Sequence, residues 1–165
     1  MVIEEIKIDD FQPITNHESR ITNLVFLVQT DTTVGLLSKE KKRLSLIKQR
    51  DIKQPFLKSI ATFCKLKKET RVPKRFKKFV RRKKKTTFIY PNLKAIRVVQ
   101  DAPHQSFLKR FGWMYSTSAN KTGCEFDFGY IKDRVDIILF EADEFRADSA
   151  SSIIKIGKKS IRRLR

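Results

Sequence analysis

The chain has 165 residues, which is enough for one domain with a sizeable core. Its 37 Lys and Arg residues outnumber the 18 Asp and Glu residues, so the formal net charge is +19. Such a surface attracts polyanions, which points to RNA, DNA, nucleotides or anionic membranes as partners. Hydrophobic residues make up 40% of the chain and include 13 Phe, which excludes a disordered basic tail.

No apolar run is long enough to span a bilayer, and no signal peptide is recognisable. We therefore expect a cytoplasmic protein with no membrane partner. Cys64 and Cys124 lie far apart and the chain has only two His, so a structural zinc site is not expected. Both thiols are predicted to be reduced and packed in the interior, and His17 and His104 are predicted to be surface residues without a role.

The first strong element is an apolar run over residues 24–28, which predicts a buried strand because it is short and rich in Val and Phe. The polar stretch 30–33 follows it, with three Thr and one Asp. Ligands bind at the carboxyl ends of strands in open α/β sheets, so this stretch is a candidate site. A helix is predicted over residues 39–49, and Lys48 and Arg50 at its end are candidate phosphate ligands.

The remaining elements alternate between strands and helices. Ser38 is the predicted N-cap of the helix over residues 39–49. Further strands are predicted over residues 55–62, 86–90, 93–99, 113–116, 135–140 and 152–156, a weaker strand within 1–11, a short helix over 104–111, and connections over 12–20 and 117–123. This alternation predicts a single α/β domain with a mixed sheet.

Residues 65–85 differ in character from the rest, with thirteen Lys or Arg and a single acid, Glu69. Phe76, Phe79 and Val80 recur at helical spacing, so we predict a basic helix, with Pro73 in its first turn, that packs an apolar stripe on the body. The predicted RNA-binding residues are Lys74, Arg75, Lys77, Lys78, Arg81, Arg82, Lys83, Lys84 and Lys85. A solvated charged face is the alternative, although such single-sign density favours contact with a polyanion. The apolar stripe is too narrow for a membrane-surface helix.

Each candidate motif also has a purely structural interpretation. Residues 30–33 could form an ordinary turn, because Asp and Thr side chains hydrogen-bond their own backbone. Lys48 and Arg50 could complement a helix dipole, and residues 118–120 could be a helix cap. Arg97 lies in an apolar strand, where a buried charge needs a partner. Trp113 is interpreted as a core residue rather than a platform for stacking bases.

Three blocks, in order, resemble the YrdC family of threonylcarbamoyl-AMP synthases. The segment VFLVQTDTTVGLLS is similar to the family's apolar strand followed by PTDTVYGL. The segment IKQRDIKQPFLKSIA resembles its K-x-R-P-x-x-K-P-L stretch, and YSTSANKTG resembles its S-A-N-x-S-G loop. Between and after them, TTFIYP, LKAIRVV and SSIIKI resemble further family strands. The resemblance covers residues from about 24 to 162.

The resemblance implies a fold and a domain organisation. The fold class is α/β: a single-domain, YrdC-like, twisted and mostly mixed β-sheet flanked by helices, with an open concave groove. Residues 1–165 would form one YrdC-like domain, with no second domain.

The resemblance also implies an activity. Such enzymes use L-threonine, bicarbonate and ATP to make threonylcarbamoyl-AMP, a nucleotidyl transfer that supplies threonylcarbamoyladenosine modification of tRNA. The implied ligands and partners are ATP, Mg²⁺ held by the nucleotide, bicarbonate as co-substrate, L-threonine, tRNA or double-stranded RNA, and the other proteins of the threonylcarbamoyl transfer pathway. No Walker P-loop is present, so side-chain cations would have to bind the phosphates. Asp31 is the carboxylate considered as a helper for Mg²⁺.

The same resemblance assigns roles to individual residues. Lys48 and Arg50 would be the catalytic pair that neutralises charge on the phosphates. ATP would be bound by Lys48, Arg50, Gln54, Thr87, Ser118, Asn120 and Arg162. Threonine would be bound by Thr32, Thr33, Ser59, Arg97, Ser116 and Ser152, with the Arg97 fork on its carboxylate.

The sequence departs from the family pattern at several positions. Val34 stands in place of Tyr, Asp51 in place of Pro and Ser59 in place of His, and residues 81–85 replace a P-G-P turn. The alternative function is therefore a YrdC-like protein with weakened catalysis that binds double-stranded RNA or tRNA. Pyrophosphate release distinguishes the synthase, and salt-dependent RNA binding distinguishes the alternative.

Overall fold

The computed structural model describes residues 4–7, 23–140, 145 and 150–165. Ten strands lie within these residues: β1 Glu4–Lys7, β2 Val25–Gln29, β3 Val34–Ser38, β4 Leu57–Ile60, β5 Thr86–Ile89, β6 Ala95–Val98, β7 Trp113–Ser118, β8 Ile137–Phe140, β9 Ser152–Ile156 and β10 Ile161–Arg163. The same residues form five helices: α1 Lys41–Lys48, α2 Phe63–Glu69, α3 Lys77–Arg82, α4 Ala102–Phe111 and α5 Phe128–Lys132. A 3₁₀ turn, Lys74–Phe76, precedes α3. None of the described helices is long and apolar enough to cross a membrane.

The strands form one mixed sheet in the order β1-β8-β2-β3-β7-β4-β6-β5-β9-β10. The pairs β1–β8, β2–β8, β4–β6 and β5–β9 are parallel, and the other neighbours are antiparallel. The mixed α/β sheet predicted from the sequence is therefore confirmed.

Strand alternation gives the sheet two faces with different coverings. The face that carries Phe26, Leu37, Ser116 and Arg97 is called the front face, and the face that carries Leu27, Leu36, Phe88 and Ile96 is called the back face. On the front face, α4 packs against β2, β3 and β7. On the back face, α1 and α5 cover one half, and α2 and α3 cover the other. Helix α4 also contacts β4, and the candidate site lies on the front face where β4, β6, β5 and β9 run side by side.

Two strands were absent from the sequence interpretation. Strand β3 follows β2 after the four residues 30–33, so these residues form a hairpin loop rather than a strand-to-helix turn. Gly35 is needed there because a Cβ at this position would approach the Thr30 Cγ2 atom to 2.7 Å. Strand β10 follows β9, which was predicted to be the last strand.

The helix predicted over residues 39–49 is confirmed as α1, but Ser38 is not its N-cap. Glu40 caps the helix, and its carboxylate accepts a hydrogen bond from the Lys42 N–H. Ser38 ends β3 instead, where its hydroxyl accepts from the Glu40 N–H at 3.0 Å. Sheet pairing of β3 therefore delays the start of the helix.

The basic segment folds as predicted in one respect. Val80 is buried, and Phe76 and Phe79 pack around it against the back face, so the predicted apolar stripe is confirmed. Pro73 lies just before the 3₁₀ turn rather than in the first turn of a longer helix. The nine predicted RNA-binding residues are all exposed.

Three predictions about individual residues are wrong. Cys64 and Cys124 are exposed free thiols rather than packed ones. His104 is fully buried in α4, beneath the candidate site. His17, the predicted connection 12–20, and most of the predicted strand within 1–11 lie outside the described residues. Trp113 is half-buried, with the Lys58 ammonium 3.8 Å from its ring centroid.

Candidate functional site

A cavity of about 430 Å³ opens on the front face of the sheet. Its walls come from the β2–β3 loop, the end of α1, the segment before β4, the centres of β5 and β6, the loop after β7, and the C-terminal strands. The polar and charged residues among the described lining are Thr30, Thr32, Thr33, Lys48, Arg50, Thr87, Arg97, Ser116, Thr117, Ser118, Asn120, Thr122, Ser151 and Arg165. No acidic residue is among the described lining residues, so the cavity favours an anionic ligand.

The β2–β3 loop is held by its own hydroxyl groups. The Thr30 hydroxyl donates to the Thr33 carbonyl at 2.6 Å and accepts from the Thr33 N–H at 3.2 Å. It also lies 3.2 Å from the Thr32 hydroxyl. This is the local turn that the structural interpretation of the loop predicted. The turn also fixes Thr32 and Thr33 in the cavity wall, so the two interpretations are compatible.

Arg97 is a buried charge in the floor of the cavity, with 3% of its surface exposed. Its Nη1 donates to the Thr32 hydroxyl at 2.8 Å, and its Nη2 lies 3.5 Å from the Asp31 Oδ1 atom. The partner that a buried charge requires is therefore Asp31, as the position of Arg97 in an apolar strand predicted. The Arg97 Nε–H has no hydrogen-bond partner among the described residues. Arg97 thus places a guanidinium in the cavity lining, held by Thr32 and Asp31.

Asp31 and His104 lie behind Arg97. The Asp31 Oδ1 atom is 3.5 Å from the His104 Nδ1 atom, and both residues are buried. Burial alone would raise the pKa of Asp31, but its contacts with His104 and Arg97 outweigh that effect and lower the pKa. Burial lowers the pKa of His104, which favours the neutral imidazole. Asp31 is therefore engaged by Arg97 and His104, and it is not among the described lining residues of the cavity.

Lys48 ties α1 to the loop after β7. Its ammonium donates to the Ser118 carbonyl at 3.0 Å, to the Asn120 Oδ1 atom at 2.7 Å and to the Asn120 carbonyl. These bonds use all three N–H groups of the ammonium. Burial, with a smaller effect of the nearby Arg50 charge, lowers the pKa of Lys48 to about 8. Lys48 thus holds the loop in place. A phosphate can accept a hydrogen bond from the Lys48 ammonium only by displacing one of the loop oxygens that now accept from it.

Arg50 lies in the cavity wall beyond Lys48. Its guanidinium stacks on the Phe56 ring at 3.8 Å from the ring centroid and donates to the Pro55 carbonyl at 3.4 Å. The Arg50 Nε–H is buried without a hydrogen-bond partner among the described residues. A second guanidinium therefore lines the cavity.

The C-terminal wall of the cavity contains Thr87, Ser151 and Arg165. The Thr87 and Ser151 hydroxyls lie 3.3 Å apart. Arg165 donates from Nε to the Ser151 carbonyl at 3.0 Å, and its main-chain oxygen accepts from the Ile153 N–H. The charge of Arg165 also acts on the pKa of Arg97, after the larger effects of burial and Asp31. Arg165 is therefore the third guanidinium of the cavity.

The structure brings most of the predicted site residues together. Those that line the cavity are Thr32, Thr33, Lys48, Arg50, Thr87, Arg97, Ser116, Ser118 and Asn120. Those that do not are Gln54, Ser59, Ser152 and Arg162. Gln54 is exposed, and Ser59 is buried in β4 beside Arg97 in the sheet register.

Ser151 and Arg165 were not identified from the sequence. Successive strand residues point to opposite faces, so Ser152, which precedes Ile153 in β9, points away from the side chain of Thr87. Arg162 pairs with Lys155 in β10, whereas Arg165 follows the strand and reaches the cavity. The segment SIRRLR, residues 160–165, shows that an Arg near this end could reach the cavity. The sequence alone does not give the strand register that decides which Arg does so.

Comparison with known proteins identifies the family. The family model for Sua5, YciO and YrdC, described as telomere recombination, matches residues 22–165. The chain belongs to the Sua5/YciO/YrdC family. The resemblance to YrdC proteins stated from the sequence motifs is thereby confirmed. No curated protein matches the sequence of this chain.

Solved structures of the Sua5/YciO/YrdC family have the same fold. A variant of Sua5 from P. abyssi aligns over 99% of this chain and 60% of its own, with a TM-score of 0.80 and 16% identity. P. abyssi Sua5 complexed with L-threonine aligns over 100% of this chain and 57% of its own, with a TM-score of 0.74 and 16% identity. E. coli YciO aligns over 99% of this chain and 94% of its own, with a TM-score of 0.74 and 20% identity. The chain thus spans about 60% of the Sua5 chains that it matches and nearly all of YciO.

Proposed function

We propose that this member of the Sua5/YciO/YrdC family is an L-threonylcarbamoyladenylate synthase that uses L-threonine, bicarbonate and ATP to supply tRNA threonylcarbamoyladenosine modification. The observation that carries the proposal is that three guanidiniums, those of Arg50, Arg97 and Arg165, line one cavity with no acidic residue among its described lining residues. Guanidinium groups bind carboxylates and phosphates through charge-assisted hydrogen bonds, so such a cavity suits anionic ligands. The reaction needs two such ligands, the threonine carboxylate and the ATP phosphates.

Arg97 suits the carboxylate of threonine. Asp31 and Thr32 already hold its guanidinium in place. Little further side-chain entropy is therefore lost when a carboxylate binds. Its planar fork can donate two parallel hydrogen bonds to a carboxylate. The family structure of P. abyssi Sua5 with L-threonine supports threonine as the amino acid.

Arg50 and Arg165 suit the phosphates of ATP. Both guanidiniums line the same cavity as Arg97. Thr87, Ser118 and Ser151 add hydroxyl groups, which donate to phosphate oxygens without introducing negative charge. Fixed cations in a partly buried cavity stabilise the charge that develops on a transferring phosphoryl group better than solvated cations do.

The proposed reaction has two balanced steps. The threonine amine attacks the bicarbonate carbon, water leaves, and a carbamate forms. A carbamate oxygen then attacks the α-phosphorus of ATP, the bond to the β-phosphate oxygen breaks, and pyrophosphate leaves. The chain's contribution is to hold the carbamate beside the α-phosphate through Arg97 and to neutralise the leaving group through Arg50 and Arg165.

The nucleotide itself would hold Mg²⁺. The described residues contain no cluster of three His, Cys, Asp or Glu side chains that could bind a metal ion. Asp31 is engaged by Arg97 and His104, as described above. A Mg²⁺ ion commonly binds through substrate phosphates and water, which fits a cavity with no carboxylate among its described lining residues.

Pyrophosphate release tests the proposed function directly. Purified protein is given ATP, bicarbonate and L-threonine, and each is omitted in turn; release that requires all three supports the synthase. Arg50→Ala is expected to lower the rate by about tenfold to a hundredfold, the value of one charge-assisted hydrogen bond. Arg75→Ala removes an exposed guanidinium outside the cavity and is the matched control. Release that persists without threonine, or a rate unaffected by Arg50→Ala, contradicts the assignment.

A second candidate function is RNA binding with weakened catalysis. It is favoured by the thirteen Lys and Arg residues of the segment 65–85, because all of them are exposed and seven of them lie in α2 and α3 on the back face. It predicts affinity for tRNA or double-stranded RNA that falls steeply with salt, since bound phosphates release counterions. Affinity that does not change between low and high salt excludes it. ATP binding separates the two candidates, since only the synthase requires it.

A further inference from the structure

A second cleft lies on the back face of the sheet, between α2 and α3. Its volume is about 270 Å³. Its described lining residues are Phe63, Leu66, Lys67, Thr70, Arg71, Val72, Lys77, Val80 and Arg81, none of which lines the front cavity. The cleft is slightly smaller than the range of about 300–1,000 Å³ typical of small-molecule sites. It therefore suits one planar group rather than a whole nucleotide triphosphate.

The floor of the cleft is apolar. Leu66 and Val80 belong to the buried cluster that packs α2 and α3 on the sheet, and Phe63 and Val72 are half-buried at its margin. Phe63 offers an aromatic surface, and Val72 lies in the connection between the two helices. A flat group with an apolar face would cover apolar side-chain surface that is otherwise exposed to water.

The rim of the cleft is cationic. Lys67, Arg71, Lys77 and Arg81 are all exposed around it. Glu69, the one acid of the basic segment, is engaged by Lys58 at 2.6 Å and by Lys94 at 3.2 Å. The rim charges are therefore uncompensated by that carboxylate, and they attract a ligand that carries negative charge on both sides of its apolar part.

We propose that this cleft binds one unpaired nucleotide of an RNA chain, with the base against Phe63 and Val72 and the flanking phosphates on the four rim cations. A nucleic acid combines a flat apolar group with a phosphate on each side, which matches the apolar floor and cationic rim. A paired base is stacked inside its duplex and cannot enter, so the cleft selects loops, bulges or single strands. The inference rests on the RNA binding proposed above and does not depend on catalysis in the front cavity.

The same back face extends the phosphate track beyond the cleft. Lys39 and Lys58 lie over the ring of Trp113, at 4.4 and 3.8 Å from its centroid. Lys41 lies 4.7 Å from the centroid of the Tyr115 ring. Lys58 is paired with Glu69 and Lys39 donates to the Phe111 carbonyl, so the exposed Lys41 carries the added charge on this face. An acidic peptide would meet the same charge, and competition with RNA separates the two ligands in the test below.

The test compares two RNA hairpins that differ only in one unpaired purine bulge. Fluorescence anisotropy at fixed salt is expected to show at least about fivefold tighter binding of the bulged hairpin, the effect of stacking one base. If the bulged base is 2-aminopurine, its fluorescence emission should also change on binding, because the base moves from water into the cleft.

Two variants isolate the cleft. Val72→Phe fills it without changing charge, and should abolish the preference for the bulged hairpin while leaving affinity for the paired hairpin unchanged. Leu46→Phe, at an exposed position of α1, is the matched control and should keep the preference. If Val72→Phe does not fold, Phe63→Leu, which keeps apolar volume but removes the aromatic ring, should reduce the preference.

A pair of charge variants separates the rim from general attraction. Lys77→Gln with Arg81→Gln removes two rim cations, and Lys74→Gln with Lys78→Gln removes two neighbours outside the cleft. Both should weaken binding of the paired hairpin to a similar extent, because each loses two phosphate-attracting charges. Only the rim pair should reduce the preference for the bulge.

The outcomes distinguish this inference from the function on which it rests. If the wild type binds neither hairpin, the RNA-binding function is wrong. If it binds both hairpins equally, or if Val72→Phe retains the preference, RNA binding stands and the cleft assignment is wrong. Displacement of both hairpins alike by an acidic peptide, without any effect of the bulge, would also overturn the assignment in favour of a protein partner.

Discussion

The front cavity and the back cleft are both basic, but their cations are held differently. In the cavity, Arg97 and Lys48 are nearly buried, and each has defined partners: Asp31 and Thr32 for Arg97, and the loop after β7 for Lys48. Around the cleft, the four rim cations are exposed. Burial thus separates two roles for the same residue types within one strongly basic chain.

The physical consequence is a difference in preorganisation. A buried, partnered cation keeps its position, has a shifted pKa, and can stabilise charge in a transition state at little further cost. An exposed cation moves freely and is screened by salt, so it contributes to docking and association rate. Chemistry is therefore expected at the front face, and RNA contact at the back face.

The largest expected effect is a loss of stability when the buried carboxylate of Asp31 is removed. Asp31→Ala leaves the Arg97 charge buried without its carboxylate, and breaking such a pair costs about 3–5 kcal/mol of unfolding free energy. Urea unfolding measures the loss, and Asp133→Ala, at an exposed position, should change the unfolding free energy by less than about 0.5 kcal/mol. If both variants lose equal stability, the Asp31–Arg97 pair is not the buried centre described above.

The next effect concerns which C-terminal arginine acts in the cavity. Arg165→Ala should slow threonine-dependent pyrophosphate release by about tenfold or more, because it removes a charged donor. Arg162→Ala, three residues earlier in β10, is the matched control and should leave the rate unchanged, since Arg162 does not line the cavity. Steady-state assays of the two variants decide between the register in the structure and the assignment made from the sequence. The reverse ranking would favour the sequence assignment.

A smaller effect follows from the lowered pKa of Lys48, which is about 8. The folded protein loses this proton at a lower pH than a free lysine, so the ammonium that holds Asn120 is depleted as the pH rises through 8. Bound phosphate stabilises the charged form and raises the pKa, so ATP binding should take up protons near pH 8 and weaken by about tenfold per pH unit above it. Calorimetry in buffers of different ionisation enthalpy measures the uptake. Lys48→Met should bind more weakly with no uptake near pH 8, and an unchanged uptake in this variant would exclude Lys48 as its source.

The smallest effect tests an exposed ion pair on the back face. Lys94→Ala removes the longer of the two contacts to Glu69, and half of the Lys94 side chain is exposed. Exposed pairs of this kind contribute about 0–1 kcal/mol, so the unfolding free energy should change little. Lys58→Ala should cost more, because Lys58 is less exposed and also lies over the Trp113 ring. Equal losses in the two variants would show that the ring contact adds nothing.

The sequence predicted much of the fold because the relevant signals are local. The apolar run at β2, the helical spacing in α1, and the stripe Phe76, Phe79 and Val80 each depend on neighbouring residues, and the structure contains all three elements. Strands β3 and β10 were missed because short strands are stabilised mainly by pairing with distant segments. The prediction that Ser38 caps the helix was wrong for the same reason, because Ser38 is the last residue of β3.

The candidate site was predicted in part. Nine of the predicted ATP- and threonine-binding residues line one cavity, because motif order brings strand ends and loops together in this fold. The positions at the C-terminal strands were misplaced by one residue for Ser151 and by three for Arg165. Strand register decides which face a side chain occupies, and a sequence of short, basic strands does not specify that register.

The sequence by itself determined the charge of +19, its concentration in the segment 65–85, and the motifs that place the chain in its family. Only the tertiary structure decided that the charge divides between two faces, that His104 and Asp31 lie buried behind Arg97, and that Lys48 holds the loop after β7. The physical reason is that charge and local periodicity belong to the chain. Burial and hydrogen-bond partners arise only when residues distant in sequence are packed together.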